Sequence, residues 1–249
     1  MPDLTIELND IKVHYAFERD RSTSLKEFVF RAVKRQIQVE KVRALDGISL
    51  QINRGETFGI IGHNGAGKST LLKLITGIIR PTEGRLRVWG KVTGLLSVGA
   101  GFNPEMSGQE NISLYSSMLG RTDQETKQLF DGIVDFSGLE KFIDSPLRIY
   151  STGMIARLGF AVAMAKQPDI ILVDEVLAVG DAEFQEKCKG KFLEFQNHGA
   201  TVIFVSHNMP EIQRLCQKAA WLQHGKLVMD GTVERVVEKY LSTAAQGIS

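Results

Sequence analysis

The chain has 249 residues, 43% hydrophobic and 24% charged, with a formal net charge of +1; this is the make-up of a globular protein, not of a disordered, collagenous or disulfide-stapled one. A balance this close to zero argues against a general nucleic-acid binder. No apolar run reaches the ~18 residues of a membrane helix, the N-terminus lacks the basic flank and apolar core of a secretory signal, and Cys188 and Cys216 form no CxxC pair, so a reducing, cytoplasmic compartment is expected.

The first alternating stretch, Leu4 to Tyr15, reads as a strand, and a second runs from Ala44 to Ile52 before the turn Asn53-Arg54-Gly55-Glu56. Between them, residues 19–43 carry eight basic side chains against three acidic ones, leaving the rest of the chain slightly acidic. Ser24 and Glu27 form a capping box there, and Leu25, Phe28, Val29, Ala32 and Val33 recur at helical spacing, which predicts a short amphipathic helix. A buried strand follows, Thr57 to Ile61, then a glycine-rich turn and a helix carrying Leu71, Leu72, Leu74, Ile75 and Ile78 that stops before Pro81. A short strand pair is expected near Leu86 to Leu96. Residues of about 105 to 166 read as mostly helical, broken at Gly120, Gly138 and Pro146. Strands return at Ile170 to Val173 and Thr201 to Val205, with a helix between, then a hairpin over Ala219 to Asp230 turning at His224-Gly225 and a final amphipathic helix with Val233, Val236, Val237, Tyr240 and Leu241. The pattern is α/β, with an inserted helical block inside one domain spanning 1–249.

Gly62-His63-Asn64-Gly65-Ala66-Gly67-Lys68-Ser69 fits the phosphate-binding loop G-x-x-x-x-G-K-S and stands between a strand and a helix, as that motif requires. Glycines let successive N–H groups point into one concavity, the helix N-terminus adds positive partial charge, Lys68 reaches the β and γ phosphates, and the Ser69 hydroxyl ligates Mg²⁺. Thr70, where a dinucleotide fingerprint needs a third glycine, excludes that alternative. Ile170-Ile171-Leu172-Val173-Asp174-Glu175 is a buried strand ending in two acids; it puts Asp174 at the carboxyl edge of the sheet, suited to the Mg²⁺ shell, and Glu175 in place to deprotonate an attacking water. No Asn-Lys-x-Asp guanine reader is present.

With these motifs the sequence resembles the ATP-binding cassette family over nearly its whole length. Tyr150-Ser151-Thr152-Gly153-Met154, upstream of the acidic pair, is similar to a divergent form of the family's Leu-Ser-Gly-Gly-Gln signature, and physically it opens a helix at an anion-binding N-terminus. The resemblance implies that Ser151, Thr152 and Gly153 bind the γ phosphate held by the opposite subunit. It also implies that Ala178-Val179-Gly180-Asp181 is the D-loop, that His207 after Ser206 is the switch histidine, and that Tyr15, or alternatively Phe17, stacks on adenine. The usual coupling glutamine is missing near Ser97 to Pro104, where Ser97 or Asn103 would stand in for it.

The stretches Gly99 to Glu105, Tyr150 to Met154 and Asp174 to Asp181, with Phe184-Gln185 and Lys187-Cys188, resemble the ATPase subunits of bacterial polysaccharide exporters. That resemblance implies an α/β cassette with a RecA-like core, an antiparallel β subdomain and a helical signature subdomain. It implies ATP and Mg²⁺ as cofactors, a second copy of the chain as partner in a head-to-tail pair, a separate polytopic membrane permease, and a lipid-linked O-antigen or related polysaccharide as cargo at the inner membrane. A chain that ends soon after the Val233 to Leu241 helix is expected to lack the carbohydrate-binding domain some members carry. A teichoic-acid or other glycolipid exporter is the near alternative. A soluble cassette ATPase acting on ribosomes or DNA is disfavoured, because the span from Lys68 to Gly153 is too short for a clamp arm, and a module without turnover is disfavoured by Glu175 and His207. The basic stretch is expected to turn Arg31, Lys34 and Arg35 toward anionic lipid or the cargo's anionic head.

Overall fold

The computed structural model describes residues 4–18, 39–95, 99–174, 180–206 and 208–245. The helix predicted around Ser24 to Val33 falls outside them. The flanking strands are longer than the sequence pattern predicts: β1 spans Leu4–Glu18 and β2 spans Val39–Asn53, paired antiparallel from Leu4↔Asn53 to Glu18↔Val39. The end of the basic stretch is therefore strand.

The alternation along β1 changes parity. Ile6 and Leu8 are buried, and so are Ile11 and Val13. A regular strand would send one of these pairs to solvent. The register shifts between Leu8 and Ile11, where Asp10 takes φ 47, and again between Ile11 and Lys12, where the extra residue is Gly47 on β2 at φ 79. The first irregularity turns β1 so that both halves face inward, and the second puts Leu45 of β2 on the same side as Ile48, Leu50 and Ile52. β4 (Glu83–Val88) completes this sheet, in the order β2-β1-β4.

The second sheet has the order β5-β6-β7-β3-β8-β9. Its strands are β3 (Thr57–Ile61), β5 (Val92–Gly94), β6 (Ile170–Asp174), β7 (Thr201–Val205), β8 (Lys218–Gln223) and β9 (Lys226–Thr232). All pairings are parallel except the β8–β9 hairpin. The strands expected near Leu86 to Leu96 are thus not a pair: β4 joins β1 in one sheet, and β5 joins β6 in the other.

The central strands are apolar but for Thr57, Thr201 and Asp174 at their ends, because both faces are covered. Phe58, Ile60, Ile170, Leu172, Ile203, Val205, Ala220 and Leu222 pack on one side, against the three-stranded sheet and α1 (Lys68–Ile75). Ile61, Ile171, Val173, Val202, Phe204, Ala219 and Trp221 pack on the other, against the remaining helices. These are α2 (Gly108–Met118), α3 (Asp123–Ser137), α4 (Thr152–Met164), α5 (Ala182–Asn197), α6 (Met209–Leu215) and α7 (Val233–Ala245). A chain of rings, Phe136, Phe160, Phe184, Phe192 and Phe204, runs from α3 through α4 and α5 to β7, with neighbouring centroids 5.6–6.1 Å apart.

Helix ends follow local chemistry. α1 stops at Ile75, short of the expected Ile78, because Gly77 turns the chain at φ 75 and leaves Ile78 68% exposed. Capping boxes Ser107–Glu110 and Thr122–Glu125 start α2 and α3, and left-handed Gly138 ends α3. Among the described residues no helix is long and apolar enough to cross a membrane.

Candidate nucleotide site

The glycine-rich loop leaves the carboxyl end of β3 and enters α1. Two of its glycines are fixed by space as well as by backbone angle. Gly62 has φ 151 and lies against the carbonyl of Leu222; Gly67 has φ 102, and a Cβ there would meet Leu45 Cδ2 at 2.7 Å and the Ala44 carbonyl at 2.8 Å. Ala66 N–H donates to the His63 carbonyl at 3.2 Å, closing the loop. Gly67 N-caps α1 without a side-chain acceptor, and the first turn holds no acidic residue. Neither a capping side chain nor an acid of its own first turn offsets the positive end of this helix.

Lys68 is buried to 9% exposure, and its ammonium donates to the carbonyls of Gly62 (2.7 Å) and His63 (3.0 Å). Ser69 is exposed beside it, as are Asn64 and Gly65, with Thr70 partly so. This donor set, of loop N–H groups, a helix N-terminus and one ammonium, fits a polyphosphate, and the Ser69 hydroxyl suits a hard cation held by that phosphate.

Sheet register brings the acidic strand to the same edge. Asp174 and Ile60 flank Val205 on either side, so Asp174 lies about 10 Å, two strand spacings, from the end of β3. Between them β7 leads to Ser206, whose hydroxyl accepts from Asn208 N–H at 3.0 Å. Glu175 and His207, and the predicted D-loop residues Ala178 and Val179, lie outside the described residues. Tyr15 sits half-buried on β1 opposite Val42, packed on the same core as Ala44 and Leu227. Phe17 follows on that strand opposite Glu40.

Ser151 N-caps α4, its hydroxyl accepting from Met154 N–H at 3.2 Å. Ser151 and Thr152 are exposed, no acid occupies the first turn, and a Cβ on Gly153 would have only Ser151 Oγ nearby, at 3.8 Å. Asp181 N-caps α5 by accepting from Phe184 N–H at 2.9 Å and stands 3.6 Å from Arg157. Of the two suggested stand-ins for the coupling glutamine, Ser97 is outside the described residues, and Asn103 spends its side-chain oxygen on Glu105 N–H at 3.0 Å.

Two supporting residues escape sequence reasoning. Fully buried Asn111 accepts from Asn103 N–H and donates to the carbonyls of Asn103, Met106 and Ser107, which fixes the loop leading into α2. Arg157 donates to the Ser137 carbonyl at 2.9 Å and stacks over Phe184, 5.1 Å from its centroid. Arg157 is the single charged residue of α4, whereas Asn111 stands among other polar residues of α2 and carries no such mark in the sequence.

A family model described as ABC transporter matches residues 45–178. The chain is 42% identical over 243 residues to the O-antigen export system ATP-binding protein RfbB of Klebsiella pneumoniae, covering 96% of this chain and 98% of that one. It is 41% identical over 235 residues to the teichoic acids export ATP-binding protein TagH of Lactiplantibacillus plantarum, covering 94% of this chain and 64% of that one. Among solved structures, a dimeric post-hydrolysis state of an ATP-binding cassette bound to ADP and Pi superposes with a TM-score of 0.71 at 21% identity, over 92% of this chain and 98% of that one. The motifs at the sheet edge, the family match and the near full-length similarity agree: this chain belongs to the ABC transporter family.

Proposed function

We propose that this chain is the ATP-hydrolysing subunit of an exporter that moves lipid-linked O-antigen or a related polysaccharide across the bacterial inner membrane. In this reading it works as a head-to-tail pair on a separate polytopic permease at the cytoplasmic face. The observation that carries the cargo class is the 42% identity to an O-antigen export subunit with almost complete coverage of both chains. A teichoic-acid cargo is the second reading, supported by the 41% identity to TagH over 94% of this chain.

In the proposed mechanism Gly62 to Thr70 cradle the triphosphate, with Lys68 turning from the loop carbonyls to the β and γ phosphates. Ser69 and Asp174 would hold Mg²⁺, which when bound neutralises charge developing on the phosphates. Glu175 takes the proton of the attacking water, and His207 contacts the γ phosphate. Tyr15 stacks on adenine. Ser151, Thr152 and Gly153 meet the phosphate bound by the other copy, with Asp181 ordering the segment beside them. Hydrolysis removes the group that joins the two copies, so their separation is tied to the chemical step.

Glu175→Gln tests the chemistry: it keeps shape while removing the base. ATP binding should persist, turnover should fall by about 10² to 10⁴, and an ATP-bound pair should accumulate on size-exclusion chromatography. An unchanged hydrolysis rate overturns the assignment. The cargo class is read from the complex with its permease in vesicles, where lipid-linked O-antigen, and not a lipid-linked teichoic acid, should raise ATP turnover.

A further inference from the structure

Beside the phosphate loop, the β8–β9 hairpin turns on His224 and Gly225, at φ 48 and φ 76. Two-residue turns with both centres left-handed favour Asn-Gly, and a histidine in the first place is strained. Among the described residues only Asp10 and His224 are non-glycines at positive φ. Asp10 makes the bulge that buries β1; no such packing demand explains His224, which is exposed.

Its surroundings do. The His224 ring lies 4.9 Å from the ring of His63, in the phosphate loop, tilted by 57°. His63 Nδ1 is 2.7 Å from the Asn64 carbonyl; a carbonyl only accepts, so Nδ1 carries the hydrogen. The ring's Nε2 is buried and has no hydrogen-bond partner among the described residues. The neighbouring Gly225 N–H donates to the Ala66 carbonyl at 3.1 Å, and the Gly225 carbonyl accepts from Asp46 N–H at 2.8 Å. The hairpin tip thus meets the loop at two points, His63 and Ala66, while being anchored to β2. The His63 carbonyl also accepts from Lys68 at 3.0 Å, so His63 contributes to the resting place of that ammonium.

We propose that His224 is a positioning residue for nucleotide binding: its ring, presented by the left-handed turn, holds His63 and with it the backbone of the phosphate loop in the arrangement that receives a triphosphate. The inference rests on the nucleotide-site reading above. It is tested by calorimetric titration of ATP into the full chain, with melting temperature and ATPase kinetics, for the wild type and for His224→Gly, His224→Asn and Lys68→Ala. Glycine removes the ring but relieves the turn, so the melting temperature should hold or rise while the Kd for ATP increases about tenfold and kcat at saturating ATP stays within about twofold. Asparagine suits the turn and keeps a planar polar side chain beside His63, so it should recover part of the affinity. Two results overturn the inference: an unchanged Kd in His224→Gly, or a loss of affinity that comes only with a lowered melting temperature. If Lys68→Ala also leaves the Kd unchanged, the nucleotide site itself is misassigned; if Lys68→Ala abolishes binding while His224→Gly does nothing, the positioning role alone fails.

Discussion

Arg157 joins three pieces of backbone through one guanidinium: α4, which carries it; the end of α3, through the Ser137 carbonyl; and the start of α5, through Asp181 and Phe184. The magnitudes decide which contact matters. A charge-assisted bond to one of the last carbonyls of a helix contributes about 1 to 2 kcal/mol, whereas an ion pair at 3.6 Å whose acid is 65% exposed contributes under about 0.5 kcal/mol. Arg157→Ala should therefore destabilise by about 1 to 2 kcal/mol. Asp181→Asn, which keeps the cap, should cost under about 0.5 kcal/mol, and the double variant should be close to additive in urea unfolding. A coupling larger than 1 kcal/mol would show that the ion pair dominates. Legibility at this scale divides by range. The chemistry-bearing residues of the phosphate loop are contiguous and readable by eye, but Arg157 finds Ser137, and Asn111 finds Asn103, through tertiary approach that no local pattern encodes.

Element boundaries were legible where a residue acts on its own neighbours and were missed where a partner strand decides. Gly138 and the hairpin at His224-Gly225 were readable because turn and cap chemistry is local. The extension of β1 to Glu18 and β2 to Val39, the bulge at Asp10, and the separation of β4 from β5 into different sheets all depend on what pairs across a ladder. The start of α3 offers a test of the local kind. Glu125 accepts from Thr122 N–H at 2.9 Å and from Lys166 at 2.6 Å, and the lysine, followed by the cap, pulls its carboxyl from the ordinary 4.5 down to about 2. A depressed carboxylate contributes stability that is fully present above its unfolded value and is lost as pH falls through the folded one. Glu125→Gln should thus be less stable than the wild type at neutral pH, and the gap should narrow below about pH 4.5 and vanish near pH 2. Denaturant unfolding across that range reads it directly. A gap that stays constant with pH would assign the loss to packing instead of charge. Glu110, whose capping box has no lysine partner among the described residues, is lowered by its hydrogen bonds from Ser107.

Across the whole molecule, the two helices whose N-termini face phosphate in the proposed mechanism belong to different cores. α1 packs through Leu71, Leu72, Leu74 and Ile75 on one face of the six-stranded sheet, and α4 packs through Leu158, Phe160, Ala161 and Val162 on the other. Each is locked in place by buried side chains, so neither can swing across the sheet edge without opening a core. A site that needs both N-termini on one triphosphate is therefore expected to take one from each of two copies. Mixing Lys68→Ala chains with Gly153→Asp chains tests this arrangement. Each homodimer has two damaged sites. The mixed pair has one site broken on both sides and one intact, made of Lys68 from the Gly153→Asp chain and Gly153 from the Lys68→Ala chain. ATPase activity in the mixture should exceed that of either parent, reaching up to about half of the wild-type rate per pair if the sites turn over independently. Should mixed pairs form without any recovery, trapping radiolabelled ATP separates the remaining cases. One nucleotide held per mixed pair means the site is shared but both must be whole for turnover. None held means the loop and the signature helix do not meet across the pair.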